Sequence, residues 1–455
     1  MGPLAFRYSF LHISSYIGLY PRRNSLVCLE SVISSSISFS DCCRTYLKVM
    51  LCSISAQFCL LTSLLVSVVY GQVLHTSSRW ILNSSNQRIK LRCINWAGHG
   101  EVNVPEGLQA QPLNTITSWI ANAGFNCVRL TYSIDMALNP NQRVSDSFTA
   151  AASSTGAGSK LTALYTTAAS KNPFLSSGTT LGAYGEVIKS LGNHGIMVIL
   201  DNHNSHAGWC CSTGDGNGWW DSASGYNAEN SRYFNTANWL KGLTAMATFG
   251  KSYSNVVGLS LRNELRAVGS QDGNSHADWY NIVGQATSAI HSANPNALIV
   301  VGGVSYATDL SFLGSKPFDR SKLDNKVVWE FHTYSWSTNL ATTDCVAYTK
   351  LLGNVAGYLL TQNKPYTGPL WLSEFGWAQN GQTAGETKYI DCLAKYMTSN
   401  DAEWAYWALQ GTYYYREGVV NYDEGFGLMN KDWSGWRNSS FPKAIGGMFQ
   451  QTQGP

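Results

Sequence analysis

The chain has 455 residues, of which 13% are charged and 12% aromatic, with 16 Trp and 24 Tyr. That balance excludes disordered and fibrous classes, and the length suits one large domain or two medium ones. The formal net charge of +3 disappears once residues 1–71 are set aside, because they hold Arg7, Arg22, Arg23, Arg44 and Lys48 against Glu30 and Asp41. A neutral remainder offers no electrostatic case for nucleic acid as a partner.

From the N-terminus, the run Met50 to Tyr70 is nearly uncharged, follows Arg44 and Lys48, and ends in small-residue spacing before Gln72. It reads as a secretory signal peptide over residues 50–71, with a retained membrane anchor as the alternative. Its place fifty residues in leads us to expect Met50 as the true start and residues 1–49 as a gene-model extension or disordered leader. Residues 72–455 are then one domain, secreted to the extracellular space or cell wall, with no stable membrane partner once the signal is cleaved. Beyond the leader stand Cys93, Cys127, Cys210, Cys211, Cys345 and Cys392. An even number in a secreted chain suits disulfides. The preferred pairs are Cys93 with Cys127, on neighbouring strands, and Cys345 with Cys392. The adjacent Cys210 and Cys211 fit no usual zinc spacing. Sequons at Asn83 and Asn438 agree with a secretory route.

Eight short apolar runs follow: Leu91–Trp96, Asn126–Tyr132, Met197–Asn202, Val256–Arg262, Leu298–Gly303, Val327–His332, Leu370–Glu374 and Ala402–Leu409. Their near-continuous hydrophobicity predicts strands covered on both faces. Amphipathic segments lie between them, at Leu181–Asn193, Thr236–Thr248, Trp279–Ser292, Val346–Thr361 and Glu386–Thr398. Eight such repeats predict an α/β fold, the (β/α)8 TIM barrel. An open doubly wound sheet is less favoured, because no glycine-rich phosphate loop follows the first strand. The stretch Ile134 to Gly178, rich in Ser, Thr, Ala and Gly, is expected to be a surface excursion on the face that carries the site.

In such a barrel, chemistry sits where strands end. The apolar runs stop at Arg129, at Asp201-Asn202-His203, at Asn263-Glu264, at His332-Thr333-Tyr334, at Glu374 and at Trp407. Two carboxylates, Glu264 and Glu374, end the fourth and seventh runs and are expected to face each other across the mouth. One must be protonated and the other ionised to cleave an acetal. Arg129 is expected to keep Glu374 ionised, and a less solvated Glu264 to hold its proton near neutral pH. Taken singly, each residue has a duller reading: the two glutamates as ion-paired groups, and Arg129 as a partner for Glu330.

On these strand-end residues the chain resembles glycoside hydrolase family 5, in particular its plant cellulase-like members, over nearly the whole mature length. The resemblance implies Glu264 as acid/base and Glu374, in Trp371-Leu372-Ser373-Glu374-Phe375-Gly376, as nucleophile. It implies that Arg129 and Tyr334 hold the nucleophile and that Asn263 binds the sugar 2-hydroxyl. It further places His203 on another hydroxyl, His332 beside the acid/base and Trp407 beneath the ring. Where the family often has Pro after the acid/base Glu, this chain has Leu265-Arg266, and a changed turn is expected.

Among the tryptophans that follow strand ends, Trp219, Trp220 and Trp377 are the candidate subsite platforms. Trp209 is also near a strand end, and Trp336 is a weaker candidate. His203 and His206 suggest a metal, but no third ligand is spaced to complete a site, so no metal and no cofactor are expected. Gly214-Asp215-Gly216-Asn217-Gly218 reads as a tight turn, with calcium binding as the lesser alternative. The substrate expected is a β-linked plant polysaccharide or its oligosaccharides, foremost a β-1,4-glucan, cleaved with retention. Mannan, mixed-linkage glucan and transglycosylation are the alternatives within that class, and a weakly active carbohydrate-binding wall protein is the alternative outside it. Nothing in the sequence points to obligate assembly, so a monomer is expected.

Overall fold

The structure, a computed structural model, describes residues 73–455. The expected leader, signal peptide and start at Met50 lie outside these residues. A short hairpin of β1 (His75–Ser77) and β2 (Trp80–Leu82) comes first. The eight predicted strands follow as β3 (Arg92–Trp96), β4 (Cys127–Ser133), β5 (Met197–Asn204), β6 (Val256–Ser260), β7 (Leu298–Gly302), β8 (Val327–His332), β9 (Leu370–Phe375) and β10 (Glu403–Tyr406). They pair in parallel in that order, and β10 returns to β3 to close a barrel.

Period-two alternation along these strands explains the barrel interior. Cys93, Cys127, Ile199, Val300, Val328, Trp371 and Ala405 form an apolar floor, which Leu74 and Ile81 of the N-terminal hairpin close from below. Two residues further along five of these strands come polar groups, Asn95, Arg129, Asp201, Glu330 and Ser373, all buried. The strand faces pointing the other way pack on the helices in a second, larger core.

Four of the five predicted helices appear as single elements with ends shifted by a few residues: Thr180–Asn193, Thr236–Gly250, Ala277–Ala293 and Ala384–Asn400. The last begins at a capping box, in which the Thr383 hydroxyl accepts from the Glu386 amide and the Glu386 carboxylate accepts from Thr383. The segment expected as one helix over Val346–Thr361 is instead an α-helix, Cys345–Val355, followed by a 3-10 turn, Gly357–Leu360. The first barrel helix, Leu113–Asn122, has no counterpart in the sequence reading. Among the described residues no helix is long and apolar enough to cross a membrane.

The excursion between the second barrel strand and its helix is mostly helical, with helices at Ile134–Leu138, Val144–Ser154, Ser159–Lys171 and Phe174–Ser177. Its apolar residues are few but placed at helical spacing: Val144, Phe148, Ala151 and Ala152 are buried, and Phe148 meets Tyr414 edge-on. Both preferred disulfides are present, Cys93–Cys127 joining two adjacent strands and Cys345–Cys392 joining two helices. Cys210 and Cys211 are bonded to each other, a pairing the sequence reading did not include.

Candidate active site

At the C-terminal ends of the barrel strands lies a cleft of about 770 Å³. His203, Asn263, Glu264, His332, Tyr334, Glu374 and Trp407 all line it. Arg129, the remaining member of the predicted set, sits one layer below with no exposed surface. Its guanidinium is a four-way donor. One terminal nitrogen donates to Glu374 Oε1 at 2.7 Å and Asn95 Oδ1 at 3.0 Å, and the other to Asp201 Oδ1 and Asn263 Oδ1, both at 2.8 Å. Glu330, its alternative partner from sequence, is 3.9 Å away. Glu330 instead meets the Ser260 hydroxyl at 2.6 Å.

Tyr334 Oη donates to the other oxygen of Glu374 at 3.0 Å, so both carboxylate oxygens are held. His332 Nδ1 shares a 2.9 Å hydrogen bond with Glu264 Oε1 and stands 3.9 Å from Glu374 Oε2. One oxygen from each glutamate and one nitrogen of His332 lie within 4.8 Å of one another. These three are the ligand-capable cluster of the described residues. Its donors are already engaged with one another and with Arg129 and Tyr334. The histidines proposed from sequence diverge, His203 turning to Asp201 and His206 to Asp135.

The electrostatics separate the two glutamates. Burial pushes the Glu264 carboxyl up to about 7, against the opposing pull of Arg266 and Arg129. Burial also raises Glu374, offset by His332 and Arg129. The expectation that Glu264 is the less solvated of the two is not met: its side chain keeps 14% of its surface, and that of Glu374 6%. What distinguishes them is the guanidinium hydrogen bond, which Glu374 has and the Glu264 carboxylate lacks. Burial lowers His332 to about 4, leaving a neutral imidazole able to donate to an ionised Glu264 or, in its other tautomer, to accept from a protonated one.

Leu265-Arg266 follows Glu264 at the strand end. Arg266 donates to the Glu264 carbonyl at 2.7 Å and forks onto Asp215 at 2.5 and 2.6 Å. The Gly-rich loop is thereby pinned to the strand end, with the Asp215 oxygens also receiving the Ser212 and Asn217 amides, contacts that suit a turn rather than a calcium ligand. Gly376, two residues past Glu374, permits a close approach: a Cβ there would fall 2.4 Å from the Trp407 carbonyl.

The platform assignment needs correction. Trp219, Trp220 and Trp377 are 0 to 1% exposed and do not reach the cleft. Trp219 and Trp220 pack with Phe234 and Trp239 as part of the large core between barrel and helices, and Trp377 stacks on Phe441 in the same core. A long loop has to bury apolar surface, and it takes the indoles that sequence proximity assigns to substrate. The exposed indole is Trp336, at 65%, lying parallel to Tyr334 with ring centroids 4.5 Å apart.

Sequence reading also missed a wall of the cleft. β11 (Thr412–Arg416) and β12 (Val419–Asp423) form a hairpin that brings Arg416, Tyr422 and Glu424 to the site, with the Arg416 guanidinium over the Trp209 ring. A signal for it exists in Glu417-Gly418 between the aromatic run Thr412–Arg416 and the run Val419–Asp423, which opens on two valines. Both residues have positive φ, 49° and 86°, as a two-residue hairpin turn requires.

Residues 83–412 match the family described as Cellulase (glycosyl hydrolase family 5). A glycosyl hydrolase 5 family protein of Chamaecyparis obtusa is 37% identical over 408 residues, which cover 87% of this chain and 70% of that one. An endoglucanase of Paenibacillus polymyxa is 23% identical over 382 residues, covering 80% and 83%. Among solved structures, the hyperthermophilic endocellulase of the archaeon Pyrococcus horikoshii matches with a TM-score of 0.65 at 18% identity, covering 84% of this chain and 100% of that one. At that identity the structural likeness is one of fold.

Proposed function

The chain belongs to glycosyl hydrolase family 5 and is an O-glycosyl hydrolase, and on that premise we propose that it cleaves β-1,4-glucan with retention of anomeric configuration. In this reading Glu374 attacks the anomeric carbon while Glu264 gives its proton to the departing glycosidic oxygen. The C–O bond breaks and a glycosyl ester forms on Glu374. Water then loses a proton to Glu264, its oxygen takes the anomeric carbon, and Glu374 leaves as the free carboxylate.

One observation carries the proposal: an oxygen of Glu264 and an oxygen of Glu374 lie within 4.8 Å of each other. Carboxyls about 5–5.5 Å apart suit direct attack, whereas those about 6.5–9.5 Å apart leave room for an intervening water. Arg129 and Tyr334 support Glu374 as the nucleophile, because Arg129 opposes the rise that burial gives its carboxyl and the two together fix both its oxygens. The part-buried Glu264, raised to about 7, suits an acid that must carry a proton at neutral pH. The choice of glucan draws support from the endoglucanase name of the Paenibacillus relative. Three disulfides among the described residues support an oxidising, extracellular setting.

The test is incubation with a 2-deoxy-2-fluoro-β-glucoside or cellobioside bearing an activated leaving group, followed by mass mapping. One sugar mass on the peptide containing Glu374 is expected, along with release of short oligosaccharides from β-1,4-glucan in preference to mannan or xylan. An unlabelled Glu374 with active enzyme overturns the covalent mechanism, and faster release from mannan overturns the substrate.

A further inference from the structure

We propose that Asp201, which lies beneath the cleft and has no part in the two-carboxylate chemistry, is a positioning residue that fixes the tautomer of His203 and thereby the orientation of the Asn263 amide. The inference rests on the reading of the site as a glycosidase centre.

Asp201 is on β5, its side chain fully buried and absent from the cleft lining. It closes a ring of four side chains drawn from the neighbouring strands β4 and β5 and the loop after β6. Arg129 donates to Asp201 Oδ1 at 2.8 Å, Asp201 Oδ2 pairs with His203 Nδ1 at 2.8 Å, His203 Nε2 lies 3.2 Å from Asn263 Nδ2, and Asn263 Oδ1 accepts from Arg129 at 2.8 Å. Donors and acceptors fit this ring in one sense. A carboxylate accepts only, so the His203 proton must be on Nδ1. Nε2 then offers a lone pair, which needs the NH2 end of Asn263, while the guanidinium needs its oxygen. Flipping the amide would set NH2 against guanidinium and oxygen against a lone pair.

The ring leaves the second Asn263 amide proton to point at the Cys210–Cys211 disulfide on the cleft wall, where it donates to Cys211 Sγ at 3.5 Å. Sulfur is a weak acceptor, so a sugar hydroxyl entering the cleft would compete for that proton on favourable terms. His203 is packed for the part: it stacks on His99 with centroids 3.8 Å apart and lies nearly parallel to Trp407 at 5.4 Å. Stacking fixes the plane of the ring, and Asp201 fixes which nitrogen within that plane bears hydrogen. Burial drives the His203 pKa well down, so the imidazole has no second proton to blur the assignment.

The experiment uses the intact protein labelled with 15N at histidine, with the His203 signals assigned by their loss in His203→Gln. Long-range 1H–15N correlations at pH 6.5 are expected to show a neutral ring protonated at Nδ1. In Asp201→Asn the tautomer shifts towards Nε2–H. kcat/KM on an aryl β-cellobioside then falls about 10- to 100-fold, the scale of one lost oriented hydrogen bond or a misplacement of about 1 Å. The preference for that substrate over its 2-deoxy counterpart shrinks with it. A wild-type ring protonated at Nε2 overturns the proposal, and so does an Asp201→Asn variant with unchanged tautomer and unchanged 2-hydroxyl preference. The wild-type tautomer needs neither turnover nor a variant, so it can overturn the proposal even if Asp201→Asn does not fold, and Asp201→Glu, which keeps the carboxylate, is then expected to keep the Nδ1–H tautomer. Failure of the glycosidase reading would appear separately, as a wild type that cleaves no glycoside.

Discussion

Arg129 Nη1 and Glu374 Oε1 stand 2.7 Å apart beneath the cleft floor, and among the described residues no guanidinium makes such a bond to the Glu264 carboxylate. This one asymmetry gives two carboxyls opposite tasks. Catalysis as proposed needs Glu264 protonated and Glu374 ionised. As pH rises through about 7, Glu264 loses its proton and the rate is lost. As pH falls, Glu374 gains one, on a limb lying above the ordinary carboxylate range because burial raises it. A bell-shaped kcat/KM profile with its alkaline limb near 7 is expected, since that ratio reports groups of the free enzyme. An alkaline limb that persists in Glu264→Gln, measured on a substrate with a highly activated leaving group, would assign it elsewhere.

Tyr334 holds the second oxygen of Glu374. A hydrogen bond to a charged group contributes about 1.5–3 kcal/mol. Tyr334→Phe keeps the ring and its stacking on Trp336, so the expected outcome is a fall in kcat/KM of roughly 10- to 150-fold with thermal stability little changed. Steady-state kinetics beside a melting curve checks both halves.

Two tryptophans that look alike in sequence are expected to fail differently. Trp336→Ala removes an exposed ring from the cleft edge and is expected to raise KM for oligosaccharides roughly 2- to 10-fold, the scale of one stacking contact, while leaving stability unchanged. Trp219→Ala empties a buried site and is expected to cost about 3–5 kcal/mol in denaturant unfolding. The reverse pattern would show that substrate closes over the loop rather than over the exposed indole.

The Cys345–Cys392 disulfide ties the helix Cys345–Val355 to the helix Ala384–Asn400, and neither cysteine lines the cleft. Replacing both cysteines by serine is expected to lower unfolding free energy by about 2–4 kcal/mol, mainly by freeing the unfolded chain. Activity at 25 °C should remain near that of the parent. A variant as stable as the parent by urea titration would show that helix packing alone holds this edge.

Much of this was legible before any coordinates, and the residues show why. The eight strands announce themselves because a strand buried on both faces must be apolar along its length, and the polar residue that interrupts each run marks the barrel mouth. Among the residues at those strand ends, it was the resemblance to glycoside hydrolase family 5 that singled out Arg129, His203, Asn263, Glu264, His332, Tyr334, Glu374 and Trp407. Asp201 was visible in the same motif yet had no assigned role, because its importance lies in contacts to Arg129 and His203 that spacing along the chain does not encode.

What the linear chain determined, then, was periodicity and punctuation: which segments are strands, where they end and which side chains end them. Tertiary structure alone decided which indoles face water, that the excursion after the second barrel strand folds into helices, and that the hairpin carrying Arg416 walls the cleft. The reason is physical. Alternation along a strand is local, set by backbone geometry, whereas the burial of a loop tryptophan depends on what distant segments leave uncovered, so Trp219 and Trp336 become distinguishable only once the barrel has closed.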